Sequence, residues 1–412
     1  MPADPKNQIE PSTDAVARFR LIDPPAGFVD DPYPWYAQLR RQSPVHRLGE
    51  RSFFLSRYDD VLAAYRDPRT SSDKHAEFTP KFGDSPLLEH HTTSLVFNDP
   101  PLHTRVRRLI MGALNQKAIK KMELGLIQLI DKLLDDIEDQ NSVDMISDFA
   151  ARIPIEVIGN LLNIPQDERA PLRGWSLAIL SALEPVPNSK VLQTGNQAVI
   201  DFADYLRILV SDRRKTPGDP TVDVLTRLTQ GEKDGERLTE SELLHNCIFL
   251  LNAGHETTTN LIGNGLHALI CHRDQLERLA AEPELVDSAV EELLRFESPL
   301  QLNNRLTTEP MTIGETTIPV GTFLTLGVGA ANRDPDQFDQ AEHLDIGRSP
   351  NNHLAFGQGR HACSGMNVAR LEGRIAFAAV ARRFPSIDLS GTPERDPRIR
   401  FRGFRHLPVV IN

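Results

Sequence analysis

The sequence predicts a mainly α-helical fold with a minor β region (α+β), and three observations carry that prediction. Apolar residues recur at helical spacing through most of the stretch from Leu102 to Ala281, as in Leu124 to Ile137, Phe149 to Leu162 and Ala198 to Val210. Strand-like signals are confined to Ser52 to Ser56, to Met311 to Leu326 with its Gly and Pro turns, and to the Arg398 to Ile411 tail. A capping box, Thr239 with Glu242, opens an apolar run that continues to Cys271, roughly 32 residues and about 48 Å at helical rise. A helix of that length would cross the whole molecule.

The chain has 412 residues, 40% of them hydrophobic and 25% charged, enough for a deep core. No Gly/Ser-rich or Pro-rich linker separates independently patterned halves, and no repeat occurs at solenoid spacing. One compact unit over residues 21–412 is expected, preceded by a flexible segment over 1–20. Met1 to Arg20 contains no apolar run, so neither a signal peptide nor a membrane anchor is expected. Three cysteines, Cys247, Cys271 and Cys363, do not suit a disulfide framework in a chain of this size, which places the protein in the cytoplasm. A formal net charge of -11 argues against non-specific binding to nucleic acid or anionic lipid.

The predicted long helix is apolar on every side in its middle, as a helix buried in a large core should be. Yet Gly254, Glu256, Thr257, Thr258, Thr259 and Asn260 interrupt it with mediocre helix formers that are costly to bury unpaired. Polarity at the centre of a core helix points to chemistry there.

A second constellation is Phe356-Gly357-Gln358-Gly359-Arg360-His361-Ala362-Cys363-Ser364-Gly365, ahead of a helical pattern from Met366 to Phe384. The glycine-rich loop delivers a cysteine to a helix N-terminus, where free amides and the positive dipole end favour the thiolate. Glycines at 357, 359 and 365 let backbone approach a flat cofactor and aim amides at sulfur. Cys363 is therefore a ligand or a nucleophile, whereas Cys247 and Cys271 lack such a context and read as structural thiols.

This loop resembles the haem-binding signature of cytochromes P450, of the soluble bacterial type, met at Phe356, Gly357, Gly359, His361, Cys363 and Gly365. The resemblance covers nearly the whole chain. Ala253-Gly254-His255-Glu256-Thr257-Thr258 looks like the family's oxygen-activation segment, Glu292 and Arg295 match its Glu-x-x-Arg pair, and Ala331-Asn332-Arg333-Asp334-Pro335 with Phe338 matches the segment before the cysteine loop.

The resemblance implies a cytochrome P450 fold, with haem b (iron protoporphyrin IX) buried between the central helix and the cysteine-loop helix and its iron ligated by Cys363. It implies a monooxygenase that uses O2 and two externally supplied electrons to hydroxylate or otherwise oxidise a small organic substrate. Within the family's chemistry, a peroxygenase, a non-oxygenating member and a haem-based sensor are the alternatives.

By the same matching, His103, Arg107, Arg305 and His361 contact the haem propionates, where cationic donors suit buried carboxylates. Read without the family, His103 and Arg107 are one face of a basic helix start and Glu292 with Arg295 an ordinary i,i+3 pair. The family pair is joined by an arginine from a later segment; His343 stands at the corresponding position here, which leaves that partner open.

Glu256 and Thr257 are the expected catalytic pair, the carboxylate relaying protons from solvent and the hydroxyl hydrogen-bonding the bound oxygen species. Substrate contacts are expected from Phe249, Asn252, Ala253, Leu300, Leu302 and Asn303, for a mid-sized and partly apolar molecule. No flavin or nicotinamide module is recognisable, so a ferredoxin with its NAD(P)H-dependent reductase is the expected electron source, docking on Arg105, Arg108, Lys117, Lys120, Lys121 and Arg360. A monomer is expected. Gly263-Asn264-Gly265-Leu266-His267-Ala268 and His255-Glu256-Thr257-Thr258-Thr259 imitate dinucleotide and zinc motifs, but the first follows no strand and the second lacks its second histidine.

Overall fold

The structure, a computed structural model, describes residues 11–411 apart from 141, 186, 222 and 232–236. The long helix forms over Glu240–Cys271, 32 residues. Its start is set by the expected capping box: the Glu242 amide donates to Thr239 Oγ1 at 3.2 Å, and the Thr239 amide to Glu242 Oε2 at 2.8 Å. It packs against the helices Arg152–Leu161, Leu172–Ser181 and Ser189–Lys215, and against Val286–Phe296 and Met366–Arg383. Close approach to the last of these depends on Gly265, where a Cβ would collide with the Phe377 ring. The glycines of the dinucleotide-like motif thus serve helix packing.

Most of the helical stretch forms as expected, including Gln116–Glu138 and Ser189–Lys215. The segment read as one helix from Phe149 to Leu162 instead divides into a wide π-type turn, Met145–Ala150, and a helix, Arg152–Leu161. Pro154 lies in the first turn of the second piece, where its missing N–H leaves no bond unmade.

The main sheet has five strands in the order Val45–Gly49, Ser52–Leu55, Phe323–Gly327, Leu302–Thr307, Thr70–Ser71. Ser52–Leu55 runs parallel to Phe323–Gly327, and every other pairing is antiparallel. The stretch expected to be extended around Met311 to Leu326 supplies Phe323–Gly327 and a small hairpin of Met311–Ile313 with Thr316–Ile318. Leu302–Thr307 was not legible as a strand, because Asn303, Asn304 and Arg305 interrupt its apolar alternation.

Residues 1–10 of the expected flexible start lie outside the described residues. The remainder of that segment departs from expectation. Thr13–Ala17 is helical, Val16 and Phe19 are buried, and the Phe19 ring lies 5.3 Å from Phe28 and 6.2 Å from Phe54. Two isolated apolar residues are too sparse a pattern to read without the aromatic rings they meet.

Glu292 and Arg295 on Val286–Phe296 form a fully buried ion pair at 2.7 and 2.8 Å. The remaining donors of Arg295 go to the carbonyls of Asn332, Ala341 and His343 at 2.9, 2.7 and 3.1 Å. The joining arginine is Arg348, whose Nε sits 3.1 Å from Glu292 Oε2. His343, the residue at the expected position, has an exposed side chain and contributes only its carbonyl. The partner is displaced by five residues along a loop, which matching by position does not detect.

Removing Arg348 leaves Glu292 paired with Arg295 but short of a charged hydrogen-bond donor, at about 1.5–3 kcal/mol. Arg348→Leu should therefore lower the unfolding free energy by roughly that amount, while His343→Ala stays within about 0.5 kcal/mol of the parent. Equilibrium urea unfolding of the two variants checks the assignment.

Candidate functional site

The cysteine loop is closed by its own backbone. The Cys363 amide donates to the Phe356 carbonyl at 2.9 Å and the Gly357 amide to Leu354 at 2.8 Å. Gly357 and Gly359 take φ of +63° and +72°, a region that penalises side chains, and a Cβ on Gly359 would strike the Tyr65 carbonyl. The helix begins at Met366 with Gly365 as its cap, so Cys363 lies just ahead of the helix end rather than on its first turn. Burial pushes the Cys363 thiol up, opposed by the Gly365 amide and by the Arg107 and Arg370 guanidinium groups. Arg370 is held over the Phe356 ring by a two-pronged pair with Glu291 at 2.7 Å.

This loop forms one wall of a cavity of about 310 Å³, faced by the middle of Glu240–Cys271. The cavity lies within the size range of small-molecule sites. All six expected substrate contacts, Phe249, Asn252, Ala253, Leu300, Leu302 and Asn303, are on its surface, as are Phe356, Gly357, Cys363 and Gly365.

Of the residues expected to hold propionates, His103, Arg107 and His361 line the cavity. The two imidazoles lie side by side, ring centroids 4.0 Å apart, and Arg107 donates to Ser364 Oγ at 2.9 Å. Both ring nitrogens of His103 and Nε2 of His361 are buried without a hydrogen-bond partner among the described residues. Burial, then the neighbouring His361 and Arg107, push His103 down to about 4. His361 approaches Asp99 to 3.7 Å, an electrostatic contact too long for a hydrogen bond.

Arg305 differs: it is not on the cavity wall. Its guanidinium stacks over Tyr65 at 5.1 Å and donates to the Asn304 carbonyl at 2.9 Å. The donor set nevertheless fits haem b, because a thiol stands ready for iron and orphaned imidazole nitrogens beside Arg107 suit carboxylates.

Glu256 and Thr257 part company. Thr257 lines the cavity and its hydroxyl donates to the Ala253 carbonyl at 2.6 Å. Glu256 is not on the cavity wall: it is buried in an ion pair with Arg398, which Asp396 also holds, and it accepts from Asn260 Nδ2 at 3.2 Å. One residue along a helix turns a side chain by about 100°, so adjacent polar residues face different surroundings.

A carboxyl that sequence reasoning missed takes a place on the wall instead. Glu372 on Met366–Arg383 lines the cavity, is buried, and has Oε1 without a partner among the described residues. Burial pushes it up to about 8, against the lowering effect of the Thr258 hydroxyl, so it is protonated at neutral pH. The only sequence signal was an acid among the apolar positions of a core helix. His90, His91 and Arg400 also line the cavity and were not singled out.

Because the folded value exceeds the ordinary 4.5, the folded protein keeps a proton that the unfolded chain releases. That contribution to stability is present at about pH 4 and is lost as pH rises through about 8. The thermal midpoint should fall over this window, and Glu372→Gln should flatten the fall; a parent and variant with parallel pH profiles would contradict the burial argument.

Comparison with known proteins agrees with this geometry. The chain matches the family model described as Cytochrome P450 over residues 175–407. It is similar to the polyketide biosynthesis cytochrome P450 PksS of Bacillus subtilis (strain 168), 35% identical over 400 residues that cover 93% of this chain and 97% of the relative. The vitamin D(3) 25-hydroxylase of Pseudonocardia autotrophica is 37% identical, with 93% and 94% covered. Among solved structures, P450BioI in complex with an acyl carrier protein ligated to hexadec-9Z-enoic acid superposes with a TM-score of 0.88 at 32% identity, covering 94% of this chain and 99% of that one.

Proposed function

The chain belongs to the cytochrome P450 family and is a haem-thiolate monooxygenase that binds haem b, and on that premise we propose which of its own residues serve the reaction and what they act on. Bound through a thiolate, haem b supplies O2 activation and delivery of one oxygen atom to an organic substrate, with two electrons and two protons consumed and water released. The observation that carries the residue assignments is the placement of Cys363 and Thr257 on one cavity, beside orphaned imidazole nitrogens.

Cys363 holds the iron. The Gly365 amide and the nearby Arg107 and Arg370 charges offset the burial that disfavours its thiolate. His103, Arg107 and His361 would bind the propionates directly, while Arg305, stacked on Tyr65, lies off the cavity wall.

Thr257, whose hydroxyl donates to the Ala253 carbonyl, would offer that hydroxyl as a hydrogen-bond and proton donor within the cavity. Glu256 serves as the solvent-side acid only when it leaves Arg398, whereas Glu372 already holds a proton beside Thr258. Proton supply is therefore divided between a paired carboxylate and a neutral acid.

The substrate is mid-sized and mainly apolar, since Phe249, Leu300 and Leu302 are typical of the wall. Relatives bear the names vitamin D(3) 25-hydroxylase and 6-deoxyerythronolide B hydroxylase, which agrees in size and polarity. Electrons come from a ferredoxin fed by an NAD(P)H-dependent reductase. Arg108, Lys117, Lys120, Lys121 and Arg360 are exposed, and Arg105 pairs with Glu242. No helix among the described residues is long and apolar enough to cross a membrane. A cytoplasmic monomer in which residues 21–412 act as one catalytic domain completes the proposal.

The reduced protein under carbon monoxide should show the absorption band for which the family is named, and Cys363→His should abolish it while retaining bound haem. A Cys363→His protein that keeps the band would overturn the ligand assignment. In steady-state assays with a surrogate ferredoxin, Thr257→Ala should consume NADPH at a similar rate but yield several-fold less product and more hydrogen peroxide, as expected when a positioned proton donor is lost.

A further inference from the structure

The cavity is mostly apolar, yet one part of its wall is polar in a specific way. His90 and His91, from the helix Pro86–Thr93, and Asn252, from the central helix, come together there and are 2, 1 and 4% exposed. The ring centroids of His90 and His91 are 4.9 Å apart, and Asn252 Nδ2 lies 3.4 Å from His90 Nε2.

Hydrogen-bond directions follow from what each neighbour can do. Ser94 donates its hydroxyl to the His90 carbonyl at 2.6 Å, so its oxygen is left to accept from His90 Nδ1, 3.5 Å away. His90 Nε2 then accepts from the Asn252 amide, and a neutral imidazole satisfies both contacts. The consequence falls on Asn252: its Oδ1 has no partner among the described residues, and neither ring nitrogen of His91 has one.

Burial also keeps these groups uncharged. It pushes His91 down to about 3 and His90 well below its ordinary value, with the charges of neighbouring groups acting in the same direction. His245 is packed beside His90 at 5.6 Å and is committed to Glu89 on its outer side at 3.3 Å. Three polar atoms without a partner among the described residues, at least one of them an acceptor, therefore lie buried in residues that line an otherwise apolar cavity. Buried polar atoms of this kind are normally matched by a partner.

We propose that His91 and Asn252 form a recognition site for a neutral hydroxyl or carbonyl group on an otherwise apolar substrate. The proposal deepens the monooxygenase reading above and rests on it. Asn252 precedes Thr257 by five residues, about 7.5 Å along the helix, so the recognised oxygen is held away from the level of Thr257. A carboxylate is disfavoured because Asn252 Oδ1 would face it with its own lone pairs. Of the arginines on the cavity wall, Arg107 is assigned above to a propionate and Arg400 already acts on Glu184.

Four ligands that share one ring test the idea: cyclododecane, cyclododecanol, cyclododecanone and cyclododecanecarboxylic acid, titrated against the haem-loaded protein by the shift of its main haem absorption band. The alcohol and ketone should bind at least about tenfold more tightly than the hydrocarbon, as expected for one satisfied buried hydrogen bond. His91→Phe and Asn252→Leu should each reduce that preference to about twofold or less while leaving hydrocarbon affinity unchanged or improved. In turnover, the alcohol should be oxidised chiefly on the far side of its ring, with the distribution flattened in His91→Phe.

Equal affinity for alcohol and hydrocarbon overturns the proposal, as does a preference that survives both substitutions or an alcohol that does not bind. Tightest binding of the carboxylic acid would assign recognition to Arg400 instead. The carbon monoxide band of each variant separates these outcomes from failure of the haem-thiolate reading: loss of preference with the band intact concerns the substrate site, and loss of the band concerns Cys363.

Discussion

The buried ion pair between Glu292 and Arg295 is the constraint on which the rest of the site depends. Both groups are fully buried, and an uncompensated charge at such a depth would cost several kcal/mol. The chain meets that demand by bringing a long irregular segment to the pair: carbonyls of Asn332, Ala341 and His343 to the guanidinium, and Arg348, Asn351 and the Asp345 amide to the carboxylate. Asn332 then bonds Ser298 through its amide nitrogen and accepts from the Leu354 amide at 2.7 Å. Leu354 in turn anchors Gly357. A loop without regular structure is thus held where the cysteine loop must begin.

Neighbouring charges in the same region follow one rule. Burial alone would raise Glu297, yet Arg402, Arg395 and Arg333 surround it and hold it at about 2. Arg333 is itself sandwiched between the Tyr33 and Phe296 rings at 3.6 and 3.8 Å, while Asp334 receives the Tyr58 amide at 2.8 Å. These contacts join the N-terminal aromatic cluster, the helix Tyr58–Arg66 and the C-terminal tail around the helix that carries Glu292.

Inside the cavity the opposite condition holds. Glu372, His91, His103 and Asn252 are buried with polar atoms that no described residue satisfies. The central helix tolerates its polar middle because the hydroxyls of Thr257 and Thr259 fold back onto carbonyls four residues earlier, at 2.6 and 3.0 Å. Those bonds satisfy each hydroxyl within its own helix, so one can be released to another acceptor without disturbing the packing. Glu256 and Glu372 meet different surroundings: the first is matched by a guanidinium, the second is buried beside a hydroxyl.

Whatever is encoded locally could be read from the order of residues alone. The capping box and apolar run defined the Glu240–Cys271 helix to within a residue, and the spacing of glycines around Cys363 identified a loop that presents a thiol. Local chemistry suffices there because hydrogen bonds within one turn or one loop dictate the backbone. Tertiary structure decided the rest. Arg348 rather than His343 completes the buried pair, because an irregular loop can deliver a guanidinium from five residues further on. Arg398, 142 residues from Glu256, draws that carboxylate off the cavity. Glu372, His90 and His91 reach the wall only when separate helices pack, since burial and partnership depend on atoms far apart along the chain, and no periodic pattern records them.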